Sequence, residues 1–343
     1  MPVSHRPHYD AVHRVATSDG WPIALYEYKP KGAPQPGAAP KAPLLAVHGA
    51  FSRFNIYDMT PGVGLAPWLA ERGWHVFALD LRGRGESLPR RALRRSRALL
   101  QQGWTYHDFV RHDIPAAIGA VLEKSGANQT DYIGHSMGGL LAYTYLGETE
   151  DQRVRRVVTV GSPGMFSRPN QQALPKDEKR VDLLQLVAPF METMPIIPVH
   201  LATRALSLLG ERAPKQAIGI ALNPDNTDPE VLRTMLWHGL TPVSSKKFKS
   251  FLHFTNIGSP EAAKNVMERF SHPVMLISGQ KDLLVPPTLV RDTFEALGST
   301  EKSQINCAKA EGFSADYGHG DLLVGRNVAK EVFPRIQDWL TRG

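Results

Sequence analysis

The sequence predicts an α/β fold: a mostly parallel central sheet flanked by helices, with a helical cap inserted in its second half. Three observations carry this. The apolar runs at 44–47, 74–79, 130–133 and 156–160 read as strands, and the first, with no polar alternation, as one buried on both faces. Helical patterns separate them, so the strands are joined by crossovers and run parallel. Between Gly161 and Ser271 no buried-strand pattern appears, and then the strand–helix rhythm resumes. The expected division is 1–162 with 272–343 as the core domain and 163–271 as the cap.

Taken in order, residues 12–16 and 23–28 read as two strands joined by the turn Ser18-Asp19-Gly20. A Pro/Gly/Ala-rich connection follows to residue 43. The strand at 44–47 ends in His48-Gly49-Ala50-Phe51. A helix at 67–72 closes at Gly73, and the strand at 74–79 leads into Asp80-Leu81-Arg82-Gly83-Arg84-Gly85-Glu86-Ser87. A long helix is expected over 104–124. Within the cap, Leu183, Val187, Phe190, Met191 and Met194 share a helical face, and Thr227-Asp228-Pro229-Glu230 reads as a helix start. Strands are expected at 274–277 and 304–308, a helix at 287–297 and a closing helix at 328–340.

Composition bounds the function. A hydrophobic share of 42% and a charged share of 21% suit a globular domain with a substantial core. The net charge is +7, and much of the excess lies in Arg90, Arg91, Arg94, Arg95 and Arg97. With no aromatic interleaving this run reads as a solvated face, and no nucleic acid partner is expected. The single cysteine, Cys307, excludes an internal disulfide and fits core packing. The first ten residues lack an apolar signal core, and no apolar run reaches the length of a membrane span. A cytoplasmic protein without stable membrane insertion is the expectation. No metal-ligand spacing and no nucleotide-binding glycine pattern appear, so neither metal nor cofactor is expected.

The chemistry concentrates at Gly134-His135-Ser136-Met137-Gly138-Gly139, between an apolar strand and the helical run 140–146. A serine between glycines at that junction is the pattern of a tight strand-to-helix elbow. A serine hydroxyl at neutral pH needs a base in reach, and the base needs an orienting acid. His319, in the loop Tyr317-Gly318-His319-Gly320-Asp321 after the last strand, is the candidate base. Asp282 follows a buried strand by a short turn, at the sheet edge where sites on open α/β sheets lie. Asp316 and Asp321 follow no strand and are expected to be solvated. The N–H of Met137 and that of Ala50 are the candidate oxyanion donors, with His48 bracing the Ala50 loop. Phe51, His135, Phe190, Met191, Met194 and Trp237 are the candidate substrate contacts.

Ser136, Asp282 and His319, with His48-Gly49 and the Asp80 to Gly85 stretch, resemble the α/β-hydrolase superfamily. The segment 104–118, with Asp113-Ile114-Pro115-Ala116, and the loop around His319 are closest in pattern to its acid-lipase-like branch. The resemblance implies Ser136 as nucleophile, Asp282 as acid, His319 as base and a capped site for a small-molecule or lipid ester. It leaves open lactonase, thioesterase, acyltransferase, perhydrolase and C–C hydrolase chemistry, or a non-catalytic binding protein on the same fold.

Overall fold

The computed structural model describes residues 7–32, 41–59, 64–88, 104–164, 196–209, 215–245 and 260–342. The arginine run at 90–97 and the cap residues Leu183, Val187, Phe190, Met191 and Met194 lie outside them.

Ten strands are numbered in chain order: β1 (Ala11–Ala16), β2 (Pro22–Tyr28), β3 (Leu44–Val47), β4 (Val76–Asp80), β5 (Thr130–His135), β6 (Val154–Val160), β7 (Ile196–Ile197), β8 (Val243–Ser244), β9 (Val274–Gly279) and β10 (Lys302–Cys307). Eight of them form one sheet in the order β1-β2-β4-β3-β5-β6-β9-β10. The β1–β2 and β2–β4 pairs are antiparallel, and every pair from β4 to β10 is parallel.

The apolar runs explain the layering. On β3, Leu45 and Val47 enter the core on one face with Tyr132, Leu140 and Ile118. Leu44 and Ala46 enter the core on the other with Ile133, Val158, Leu69 and Trp339. Helices cover both faces, so strands with no polar alternation remain out of water.

The helix expected over 104–124 is a turn at Tyr106–Asp108, a π-helical stretch at Phe109–Asp113 and an α-helix at Ile114–Ser125. The closing helix is broken at Val332 into Val328–Glu331 and Phe333–Thr341, because Pro334 lacks the N–H that a continuous helix needs. Between β6 and β9 the described residues are helical at Val199–Leu209, Lys215–Gly219, Pro224–Asn226, Pro229–Thr234, Met235–Gly239 and Pro260–Arg269. They also hold one two-stranded antiparallel pair, β7 with β8. Strands of two residues leave no periodic signal, so no sequence pattern marks them.

Candidate active site

β5 runs into the helix Met137–Thr149 through a single residue, Ser136, at φ 54 and ψ −119. That left-handed conformation is costly for a residue with a Cβ, by about 1–3 kcal/mol. The surroundings enforce it. The Ser136 N–H donates to the Val160 carbonyl at 2.9 Å, and the Ser136 carbonyl accepts from Gly139 at 3.1 Å. A Cβ at Gly134 would overlap the Gly138–Gly139 peptide, and one at Gly138 would overlap the Val47 carbonyl. Strand, elbow and helix close up only because both positions are glycine.

Two further loops meet at this edge. After β9, the Asp282 N–H donates to the Gly279 carbonyl at 3.0 Å, completing a tight turn. One Asp282 oxygen, Oδ1, accepts from the N–H groups of Leu284 and Val285 at 2.9 and 2.8 Å. The other, Oδ2, is 2.7 Å from Nδ1 of His319. Both side chains are buried. The loop carrying His319 is tied to the strand ends by Tyr317 N–H to the Cys307 carbonyl at 3.0 Å and Lys281 N–H to the Tyr317 carbonyl at 2.7 Å. Gly161, just past β6, backs the pair: a Cβ there would stand 3.2 Å from His319 Nδ1 and 3.3 Å from Asp282 Oδ2. A Cβ at Gly49, in the loop after β3, would stand 3.1 Å from the Ser136 Cβ. The structure thus brings Ser136, Asp282, His319 and the Gly49-Ala50 loop to the carboxyl ends of the parallel strands.

His48 shapes that loop. Its Nδ1–H donates to the Gly49 carbonyl at 2.7 Å, and its Nε2 accepts the Leu81 N–H at 3.2 Å. Ser52 Oγ accepts the Gly49 N–H at 3.0 Å, and the Ser52 N–H donates to the Gly49 carbonyl at 3.3 Å. In a trans peptide the N–H points opposite to the C=O. Fixing the Gly49 carbonyl therefore fixes the direction of the Ala50 N–H. Ala50 and Met137 are both buried.

The remaining expected contacts fall out differently. His135 is buried, and its Nε2–H donates to the His319 carbonyl at 3.2 Å, with the two rings 4.7 Å apart. Its Nδ1 is buried without a hydrogen-bond partner among the described residues. Burial and the neighbouring His319 push its pKa down to about 3, so the ring is neutral. The bond makes His135 a brace between the elbow and the histidine loop. Phe51 packs on the core, and its carbonyl accepts the Thr241 N–H, just before β8, at 2.7 Å. Trp237 is half-buried in the stretch Met235–Gly239 under the Arg204 guanidinium, 5.6 Å from the ring centroid. Phe190, Met191 and Met194 lie outside the described residues.

Asp321 corrects the sequence reading. It is fully buried, not solvated. Its carboxylate accepts from Gly318 N–H at 3.0 Å, Asn223 N–H at 2.8 Å and the Asn226 side-chain amide at 2.8 Å. It ties the His319 loop to residues 223–226, between β6 and β9. Burial raises its pKa against the pull of those bonds. Asp316 is half-buried and accepts the Lys309 N–H at 2.9 Å.

Sequence reading also passed over the work of Asp113. Arg82 donates through Nε to Asp113 at 2.7 Å and through its two terminal nitrogens to Asp19 at 2.7 and 2.9 Å. The Asp80 to Gly85 stretch is thereby fastened to the β1–β2 turn and to the helix before the elbow. Burial lifts Asp113 to about 6 despite the arginine. The spacing of Arg82 and Asp113 in the chain carries no sign of this pair; only the crossover brings them together. Asp19, Asp108 and His112 lie close enough to share a metal, but Asp19 is spent on Arg82 and Thr17, and Asp108 on the Thr105 turn.

A family model described as the alpha/beta hydrolase fold matches residues 42–190. Lipase member K of Mus musculus is 32% identical over 133 residues, covering 38% of this chain and 33% of that protein. Lipase 1 of Drosophila melanogaster is 30% identical over 128 residues, 37% of this chain and 27% of that protein. The chain thus aligns with about a third of the length of these relatives. An esterase from Exiguobacterium antarcticum superposes with a TM-score of 0.63 over 96% of this chain and 99% of its own, at 16% identity, a likeness of fold alone. With an eight-stranded, mostly parallel sheet and a serine elbow after β5, the chain has the α/β-hydrolase fold.

Proposed function

We propose that the protein is a serine hydrolase of carboxylic esters that works through an acyl-enzyme on Ser136. The observation that carries this reading is the 2.7 Å pairing of His319 Nδ1 with Asp282 Oδ2 at the sheet edge that holds the strained Ser136. A carboxylate accepting from Nδ1–H leaves Nε2 bare, which is the tautomer a general base needs. Ser136 Oγ attacks the ester carbonyl as His319 Nε2 takes its proton. The oxyanion lies against the Ala50 and Met137 N–H groups, and the second stands at the positive end of the helix Met137–Thr149. His319 then returns the proton to the leaving alcohol. Water repeats the sequence on the acyl-enzyme and frees the acid.

The cap supports a preference for apolar acyl groups. Met235 and Leu236 are buried in it and Trp237 half-buried, and the Met191 and Met194 stretch adds adaptable apolar bulk to its sequence. Each methylene removed from water adds about 0.8 kcal/mol to binding. The substrate is then a small-molecule or lipid ester, and the names of the relatives point the same way.

One experiment tests both levels. Turnover of p-nitrophenyl esters from acetate to octanoate is measured for the wild type and Ser136→Ala, beside labelling with a fluorophosphonate. The expected result is labelling at Ser136, a rate that rises with chain length, and a loss of about 4–6 orders of magnitude in the variant. Residual turnover above a tenth of wild type removes Ser136 as nucleophile. Faster turnover of lactones or thioesters than of any ester moves the reading to those related chemistries.

A further inference from the structure

The loop after β3 commits three consecutive carbonyls to fixed donors. Gly49 is held by His48 and Ser52, as described. The Ala50 carbonyl accepts from Arg84 Nη2. The Phe51 carbonyl accepts from Thr241, through its N–H at 2.7 Å and its hydroxyl at 3.2 Å. The first set belongs to the loop itself. The other two come from elsewhere: Arg84 from the turn after β4, and Thr241 from the cap.

Arg84 does more than hold one carbonyl. Its Nη1 donates to the Pro242 carbonyl, on the cap segment that enters β8. One planar guanidinium therefore bridges the Ala50 loop to the cap, a geometry that a fork of fixed donors makes and a point charge does not. The side chain is 2% exposed and makes no ion pair among the described residues. Asp80 acts on it through space, without a hydrogen bond, and burial lowers its pKa to about 10, so it stays charged at neutral pH. Its Nε is buried and unpartnered. A buried cation whose hydrogen bonds among the described residues go to two carbonyls is an expensive way to fill space, since an apolar residue of that volume would pack without the desolvation cost. What it supplies instead is the position of two main-chain segments.

We propose that Arg84 is a positioning residue that sets the Ala50 N–H for the oxyanion by bridging the Ala50 carbonyl to the cap at Pro242. The proposal rests on the ester-hydrolase reading for the part played by that N–H. The carbonyls on both sides of the Ala50 α-carbon are then held, so its N–H keeps its direction while charge develops on the substrate. Cap residues 241–242 belong to the frame of the site, and disturbing them reaches the oxyanion through Arg84 and Thr241.

The test compares Arg84→Met and Arg84→Lys with wild type, counting active sites by fluorophosphonate titration. Arg84→Met is expected to lower kcat per titrated site by about 10- to 100-fold, the effect of a misplacement near 1 Å, with KM changed by less than about threefold. Inhibition by a phenylboronic acid, whose tetrahedral adduct uses the same donors, weakens by the same factor as kcat/KM. Arg84→Lys, which keeps one of the two hydrogen bonds, falls between. A variant that is less stable but has wild-type kcat per titrated site overturns the proposal. Hydrogen exchange separates its failure from failure of the functional reading. If wild type is inert to esters and to the probe, the ester-hydrolase reading falls. The bridge is then decided by whether Arg84→Met speeds exchange in both 49–52 and 238–242, and unchanged exchange in either segment overturns it.

Discussion

At the scale of single residues, two buried aspartates stand on either side of His319 with different work. Asp282 spends Oδ1 on the Leu284 and Val285 N–H groups and Oδ2 on His319. In Asp282→Asn the amide oxygen stays with those two donors, so the NH2 lands against Nδ1. The ring must then accept there and carry its proton on Nε2, where it cannot act as base. Turnover is expected to fall about 10⁴-fold with little change in melting temperature. Asp321 touches no ring nitrogen; it holds Gly318, Asn223 and Asn226. Asp321→Asn sets an NH2 among donors, and losing such charged hydrogen bonds costs about 1.5–3 kcal/mol each. The expected outcome is a clear drop in melting temperature with turnover per titrated site within about tenfold of wild type. Both variants are read by thermal melts beside active-site-titrated kinetics. Equal losses of turnover would place Asp321 within the triad chemistry. As candidates, Ser136 and Asp282 were legible because each follows a strand closely beside a glycine, and His319 because it stands between glycines in the loop after the last strand. Asp321 was not, because the residues that satisfy it, Asn223 and Asn226, are almost a hundred positions away in a segment with no pattern of its own.

At the scale of elements, the strands were readable and the joints between helices less so. Leu44–Val47 is bounded as its apolar run suggests, since a strand buried on both faces has nothing else to be. The closing helix was read as one piece because Val328, Val332, Ile336 and Leu340 repeat at helical spacing straight through the break at Val332. Its last segment is fixed to the sheet by more than apolar contact. Trp339 is buried, and its indole N–H donates to the Val157 carbonyl at 3.2 Å. Arg155 donates to the Leu340 carbonyl at 2.7 Å and to Asp131 at 2.7 Å, while Arg156 donates to the Arg342 carbonyl at 3.0 Å. This corner lies under the amino ends of β5 and β6, away from Ser136 at the carboxyl end of β5. Trp339→Ala should therefore cost about 3–5 kcal/mol in urea unfolding without altering KM or kcat per titrated site. A change in KM at this position would show that the site depends on the helix's packing.

At the scale of the whole molecule, the segment between β6 and β9 is fastened to the loops that carry His319 and Ala50. Residues 221–226 bind the His319 loop through Asp321 and through the Gly320 N–H to the Ala221 carbonyl at 2.8 Å. Residues 241–242 bind the Ala50 loop through Thr241 and Arg84. The insertion was legible as an interruption of the strand rhythm, but these fastenings were not, since each joins a loop to a loop. One consequence concerns acid. His135 braces this assembly as a neutral ring, with its pKa pushed from the ordinary 6.5 to about 3 by burial and by His319. His272, buried with its Nε2 against the Asp151 carbonyl, is also lowered by burial. For such groups the unfolded chain binds more protons than the folded one between the two pKa values. Their contribution is whole above pH 6.5 and is lost as pH falls from there towards about 3 for His135. Asp113 and Asp131, each raised to about 6, act in the opposite sense: they favour the folded state as pH drops below 6 and partly offset the loss. The histidine term begins at the higher pH and sets the direction first. Melting temperature should fall between pH 7.5 and 5.5, and His135→Gln, which keeps a donor for the His319 carbonyl but cannot titrate, should flatten that fall while lowering the value at pH 7.5. Thermal melts of the two proteins across that range decide it: parallel curves would mean that His135 is not the group whose protonation opens the site.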